Sequence, residues 1–135
     1  MMRLQVIKAA RWIVLGVCDE RGECQVVSFL AEVTAAGGAD KRQLQALLLT
    51  VALNGPPRNE RKSRQLDGPI YELKTRSGIR IPYFYDDGSV VIATEALRKP
   101  KATAVRRIIE RTKTLRDAYL RAKQHDELEI VEEDA

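Results

Sequence analysis

The sequence predicts an α+β fold: a small antiparallel sheet with an N-terminal helical hairpin and a C-terminal helix packed on it. Three observations predict it. Between Leu66 and Lys101 three short strand-like runs follow one another with turn residues between them. Ahead of them lie two apolar patterns of helical spacing, separated by Gly37-Gly38. Behind them a long amphipathic pattern runs to Lys123.

The strands come first. Ile70 to Arg76 is the first, and Ser77-Gly78 supplies its turn. Ile79 to Tyr85 is the second, followed by Asp86-Asp87-Gly88, the Asp-Gly chemistry that hairpins favour because Gly tolerates positive φ. Ser89 to Leu97 is the third, rich in β-branched residues that suit a pleated, half-buried surface. Such a meander is expected to be antiparallel, with one face on a core and one exposed. Pro82 inside the second strand argues for an edge position or a bulge. Alternation sends Glu72, Lys74 and Arg76 one way and Tyr71 and Leu73 the other. With Arg80, and with Arg98, Lys99 and Lys101 after the third strand, these cations are expected to converge on one side of the sheet. Any one of them reads most simply as a solvated side chain; the whole set suits a polyanion.

The remaining elements follow the same logic. Arg11 to Cys18 is a short strand-like apolar run ended by Asp19-Glu20-Arg21-Gly22. Gln25 to Ala36 places Val26, Val27, Phe29, Leu30 and Val33 at helical spacing. The next helix has Asp40 as N-cap and the stripe Leu44, Leu47, Leu48, Val51 and Ala52, and Gly55-Pro56-Pro57 stops it. Arg58 to Arg64 reads as a polar basic linker, next to the basic face and able to extend it. The C-terminal helix, Thr103 to Lys123, sets Val105, Ile108, Ile109, Thr112, Leu115 and Tyr119 on one face. One domain, residues 1–123, is expected, with an acidic tail at 124–135. The tail is expected to lack regular structure; a short strand through Leu128-Glu129-Ile130-Val131, or a shield over the basic face, are the alternatives.

Charge and chemistry narrow the function classes. The 135 residues are 44% hydrophobic and 31% charged, an ordinary globular balance, with no run of about 20 apolar residues to span a membrane. No secretory leader is evident, so a cytoplasmic protein is expected. Net charge is +4, but 17 of the Lys and Arg residues against 8 acids fall in 58–123. A field of that sign draws phosphate backbones, and equally an acidic protein. Cys18 and Cys24, with no nearby His, cannot complete a four-ligand zinc site and read as idle thiols. His125 is the only histidine and lies in the acidic tail, so Ser-His and Cys-His catalysis have no support. There is no phosphate-binding Gly-Lys-Ser/Thr loop, Asp86-Asp87 reads as turn chemistry, and Trp12 reads as core.

The run Gly68-Pro69-Ile70-Tyr71-Glu72-Leu73-Lys74, then Arg76-Ser77-Gly78, Arg80-Ile81-Pro82-Tyr83-Phe84 and Arg98-Lys99, resembles the phage-derived HigB-like toxins of the RelE/ParE superfamily. It departs from them in having Lys74 where Arg is more usual, Pro82 within a strand, Pro100-Lys101-Ala102-Thr103 after the basic pair, and no His nearby. The resemblance implies a RelE-like fold whose helical pair covers the sheet and offers antitoxin-binding surface. It also implies a metal-independent endoribonuclease, the toxin of a type II toxin–antitoxin system, cutting mRNA on the ribosome, with a helix-turn-helix antitoxin as partner and no cofactor. RNA carries its own nucleophile, the 2′-hydroxyl, so fixed cations that stabilise phosphorane charge suffice, and a lysine crowded by like charges gives up its proton more readily. On this reading Lys74 is base or phosphate-orienting group. Arg76 and Arg80 stabilise the phosphorane, Arg98 and Lys99 hold phosphates with Lys101 beside them, and Tyr83 or Tyr85 stacks on a base. The alternatives are a ParE-like gyrase inhibitor and a non-catalytic nucleic-acid-binding protein.

Overall fold

The computed structural model describes residues 1–132. The chain opens on a β-hairpin, β1 (Met2–Ala9) and β2 (Ile13–Val17), followed by α1 (Gln25–Ala36) and α2 (Gly38–Asn54). Five strands come next: β3 (Ser63–Asp67), β4 (Ile70–Lys74), β5 (Ile79–Asp86), β6 (Val90–Ala93) and β7 (Leu97–Arg98). The helix α3 (Ala102–Gln124) and the strand β8 (Leu128–Val131) complete the fold.

These strands make one eight-stranded mixed sheet in the order β3-β4-β5-β6-β2-β1-β8, with β7 paired to β5 beyond the end of β6. The expected small antiparallel sheet is therefore corrected: the β2–β6 and β1–β8 pairs are parallel. So is the expected start on a helical hairpin. Met2, Leu4 and Val6 alternate onto one apolar cluster, which is strand patterning, and they pair with the apolar run Ile13–Val17. Ile7 faces the opposite cluster by the same alternation, and a bulge between Val6 and Lys8 then shifts the register. The helical pair comes only after this hairpin, so the RelE-like architecture implied by the sequence resemblance does not describe the chain.

Both faces of the sheet are covered. On one, Val26 and Val33 of α1 and Leu44, Leu47, Leu48 and Val51 of α2 pack on Val14, Leu73, Ile79, Ile81, Tyr83 and Val91. On the other, Tyr119 of α3 joins Leu4, Leu15, Ile70, Phe84 and Ile92, its ring edge-on to Phe84 at 5.4 Å. An exposed sheet face was expected, but α3 occupies it. Glu72, expected there, is buried and takes Arg64 Nη2 at 2.6 Å across the β3–β4 pair.

Two local solutions are instructive. Pro82 lies in a strand paired on both sides, neither at an edge nor at a bulge. Its neighbour is interrupted there, since β6 ends at Ala93 and β7 begins at Leu97. Thr94 donates its N–H (3.0 Å) and its hydroxyl (3.2 Å) to the Pro82 carbonyl, so the missing donor costs the ladder little. The tail, expected to lack structure, supplies β8 through Leu128–Val131 beside β1; residues 133–135 of it lie outside the described residues.

The far end of α3 is held by Asp86. Its Oδ2 accepts from the Tyr119 hydroxyl and the Lys123 ammonium, each at 2.7 Å. Burial pushes the carboxyl up, but these bonds outweigh it and hold the acid below its ordinary value. A depressed folded-state value contributes stability that is present above the unfolded value of about 3.9 and is lost as pH falls from there through the lower folded value. Asp86→Asn is expected to lower stability at pH 7 by about 1 kcal/mol and to flatten the acid limb below about pH 4. Urea midpoints measured from pH 7 to pH 2.5 for both proteins check this.

Candidate nucleic-acid interface

The site is shaped by the turn after α2. Gly55 ends that helix at φ +84°, donating its N–H to Val51 O at 2.7 Å. It also lies flat against the Trp12 indole: a Cβ there would come within 2.6 Å of the ring. Pro56-Pro57 keep the chain from resuming a helix. Asn59 then folds the segment back. Its Oδ1 accepts Arg61 N–H, and its carbonyl accepts the N–H groups of Lys62 and Ser63, all at 2.9 Å. Beyond it, Arg58–Arg64, read from sequence as a linker into the sheet, becomes the edge strand β3 from Ser63.

Residues of this turn line two clefts. The first, about 380 Å³, lies between α2 (Gln43, Ala46, Leu47), the turn (Asn59, Arg61, Lys62) and the end of β4 (Lys74, Thr75, Arg76). Four cations line it and no carboxylate does. Among the described residues none of the four is in an ion pair, whereas Arg64, Arg98, Arg111, Lys113 and Lys123 are matched to Glu72, Asp40, Glu95, Asp67 and Asp86. Of the 17 Lys and Arg residues in 58–123, these five are matched among the described residues, while Arg106, Arg107, Arg116 and Arg121 of α3 are not; what distinguishes this cleft is four cations gathered in one lining that holds no carboxylate. The Lys74 ammonium reaches only the Glu60 carbonyl, at 3.4 Å.

The second cleft, about 520 Å³, is bounded by Trp12, Asn54, Pro56, Pro57, Arg58, Glu60, Ser63, Gln65, Tyr71, Tyr83 and Tyr85. Its floor is the aromatic face of β4 and β5. Tyr71 stacks on Tyr83 at 5.7 Å and lies 5.6 Å from Tyr85.

The predicted site residues are only partly brought together. Lys74 and Arg76 share the first cleft. Arg80 stands opposite Lys74 in the β4–β5 register, but its guanidinium is folded onto the turn, donating to Thr75 O (3.2 Å) and Ile79 O (3.0 Å). Arg98 pairs with Ile79, so it faces the opposite way from Arg80; it bonds Asp40 of α2 and lies 5.7 Å over the Phe29 ring. Convergence of all the cations on one side is therefore corrected: successive strand positions divide them. Lys99 and Lys101 lie exposed on the segment leading into α3, outside both clefts. Tyr83 is 1% exposed, its hydroxyl bonded to Ser63 Oγ at 2.6 Å and its phenol pushed by burial up to about 12, so it cannot stack on an incoming base. Tyr85, 49% exposed, can. Sequence reading had Arg61 and Lys62 in a linker able to extend the basic face and Trp12 as core; Trp12 does pack on the core, and its partly exposed side also bounds the second cleft. The Gly-Pro-Pro stop next to a basic run was the signal for a turn that projects cations.

Among the described residues no group of three His, Cys, Asp or Glu side chains could hold a metal, and no helix is long and apolar enough to cross a membrane. Cys18 and Cys24 are free thiols opposed across an isolated antiparallel bridge. Burial, then the neighbouring Cys24, pushes Cys18 up to about 11. Both are poor nucleophiles at neutral pH.

No protein-family model matches the chain, and no curated protein matches it. Among solved structures it is similar to the solution structure of the conserved hypothetical protein HP0894 from Helicobacter pylori. That likeness is 16% identical, covers 56% of this chain and 88% of that one, and has a TM-score of 0.39. It is too distant to carry any statement about fold or site.

The turn's geometry has a direct test. Gly55→Ala places a methyl in the left-handed region and against the indole, and is expected to cost about 2–3 kcal/mol. The check is the urea midpoint, followed through Trp12 emission.

Proposed function

We propose that this chain binds single-stranded RNA at the edge of the sheet formed by β3 and β4 and cleaves it there by attack of the 2′-hydroxyl. The observation that carries the reading is the cleft lined by Arg61, Lys62, Lys74 and Arg76 without a carboxylate. Four cations around one cleft, none in an ion pair among the described residues, form a site for consecutive phosphates. A single strand suits it better than a duplex, because the adjoining cleft is aromatic and can stack an unpaired base.

The reaction balances with the chain's own groups. The 2′-oxygen gives its proton to a base and bonds to phosphorus, and the bond to the 5′-oxygen breaks as that oxygen takes a proton. A 2′,3′-cyclic phosphate and a 5′-hydroxyl end result. Lys74 takes the proton from the 2′-oxygen and returns it to the 5′-oxygen as that bond breaks, with Arg76 and Arg61 on the phosphorane oxygens. Arg80 enters this scheme as a residue that holds the 75–79 turn, through Thr75 O and Ile79 O. The toxin role, ribosome-held mRNA as substrate and a helix-turn-helix antitoxin as partner belong to this reading as what the sequence resemblance brings to it.

The test compares the parent with Lys74→Ala, Arg76→Ala on an unstructured RNA in EDTA, with and without purified ribosomes. The parent is expected to bind with affinity falling steeply in salt. The double variant's slope of log K against log salt should be shallower by about 1.4, and its cleavage slower by about 10²-fold. Equal slopes for the two proteins would remove the cleft from the interface. Binding without cyclic-phosphate products in either condition would leave a nucleic-acid-binding protein and overturn the enzyme.

A further inference from the structure

The second cleft has no part in holding phosphates, yet it adjoins the site that does. Residues of the one turn alternate between the two clefts: Asn59, Arg61 and Lys62 line the cationic one, Pro57, Arg58 and Glu60 the aromatic one. The Lys74 ammonium touches the Glu60 carbonyl, so the two clefts meet at that residue. We infer that the aromatic cleft is a subsite for one unpaired nucleobase, stacked on Tyr85 and Tyr71 beside Trp12 and flanked by Arg58, Gln65 and Asn54. This inference rests on the RNA reading above and adds to it where a base goes.

The chemistry favours a planar, aromatic occupant. Tyr71 and Tyr85 lie on neighbouring strands with their rings inclined by only 38°, a shallow platform on the sheet rather than a box. Platforms of this kind stack bases because every base has a π-face. Tyr85 is half exposed, which is unusual for a large aromatic on a covered sheet face, while its neighbour Tyr83 is buried and satisfied by Ser63. The rim is polar and suited to base edges. Gln65 spends its amide N–H on Gly68 O, leaving its carbonyl to accept, and Arg58 has no carboxylate partner among the described residues. At about 520 Å³ the cleft has room for a purine or a pyrimidine. A nucleobase is the occupant that continuity with the cationic cleft selects: a strand whose phosphate sits by Lys74 must put an adjoining base somewhere, and Glu60 is shared ground.

Trp12 is the only tryptophan and bounds this cleft, so in the folded chain its emission responds to what enters it. The experiment titrates the full chain with an RNA hexanucleotide, an abasic hexamer of the same charge, and inorganic polyphosphate. Affinity is read by competition and cleft occupancy by Trp12 emission. RNA is expected to quench Trp12, the abasic oligomer and polyphosphate to bind without quenching. Tyr85→Ala should weaken RNA about tenfold or more and leave the abasic oligomer unchanged, with Tyr85→Phe restoring RNA affinity. Lys74→Ala should weaken all three ligands. RNA that binds in a Lys74-dependent way with Trp12 emission unchanged, or quenching by polyphosphate equal to that by RNA, would overturn the base subsite while the RNA reading stands. No binding of RNA at all would overturn both.

Discussion

The rest of the structure depends on β5 being buried on both faces while paired on both sides. Ile79, Ile81 and Tyr83 are locked under α1 and α2, and Phe84 lies under α3. Burying such side chains is worth about 1.5–3 kcal/mol each, so the strand's register is strongly specified: a slip by one residue would exchange its two apolar sets. Everything hung on β5 inherits that precision. Lys74 is placed by its register with Arg80, the tyrosine platform by the Tyr71–Tyr83 pair, and the C-terminal end of α3 by Asp86.

The same constraint explains why the basic residues divide. In a sheet covered on both faces, a cation survives only at a strand end, at an edge, or folded onto a backbone carbonyl. Lys74 and Arg76 take the first solution and Arg64 the second, with Glu72 as partner. Arg80 takes the third. The turn at 55–62 adds Arg61 and Lys62 to a cleft whose lining holds no carboxylate. This cationic cleft thus lies beside the sheet edge, where an extended strand of nucleic acid has access.

Legibility in the sequence followed how local each feature is. The helices at 25–36, 38–54 and 102–124 were readable from periodicity and from Gly55, and so were the strands flanking Ser77-Gly78 and Asp87-Gly88, since their determinants lie within a few residues. β3 was missed because an edge strand written Ser-Arg-Gln-Leu-Asp buries little beyond Ser63 and part of Leu66. β1 carried a readable alternation in Met2, Leu4 and Val6, but its parallel partner β8 comes from the other end of the chain, and nothing local specifies that pairing. Of the proposed site, Lys74 and Arg76 were legible as polar residues alternating away from the apolar set, and Tyr85 was named, with Tyr83, only through the family resemblance. The fates of Arg80, Arg98 and Tyr83 were not legible: each depends on a partner fixed by tertiary structure, namely the Thr75 carbonyl, Asp40 and Ser63.

The central claim is that phosphates are held at the edge turn and not along the basic surface of α3. The most direct measurement is a backbone amide NMR titration of the isotope-labelled chain with an unstructured RNA hexanucleotide in EDTA. Shifts concentrated at residues 58–62 and 74–76, fading as salt is raised, are the predicted result. Shifts centred on Arg106, Arg107, Arg116 and Arg121, with the edge turn unmoved, would contradict it.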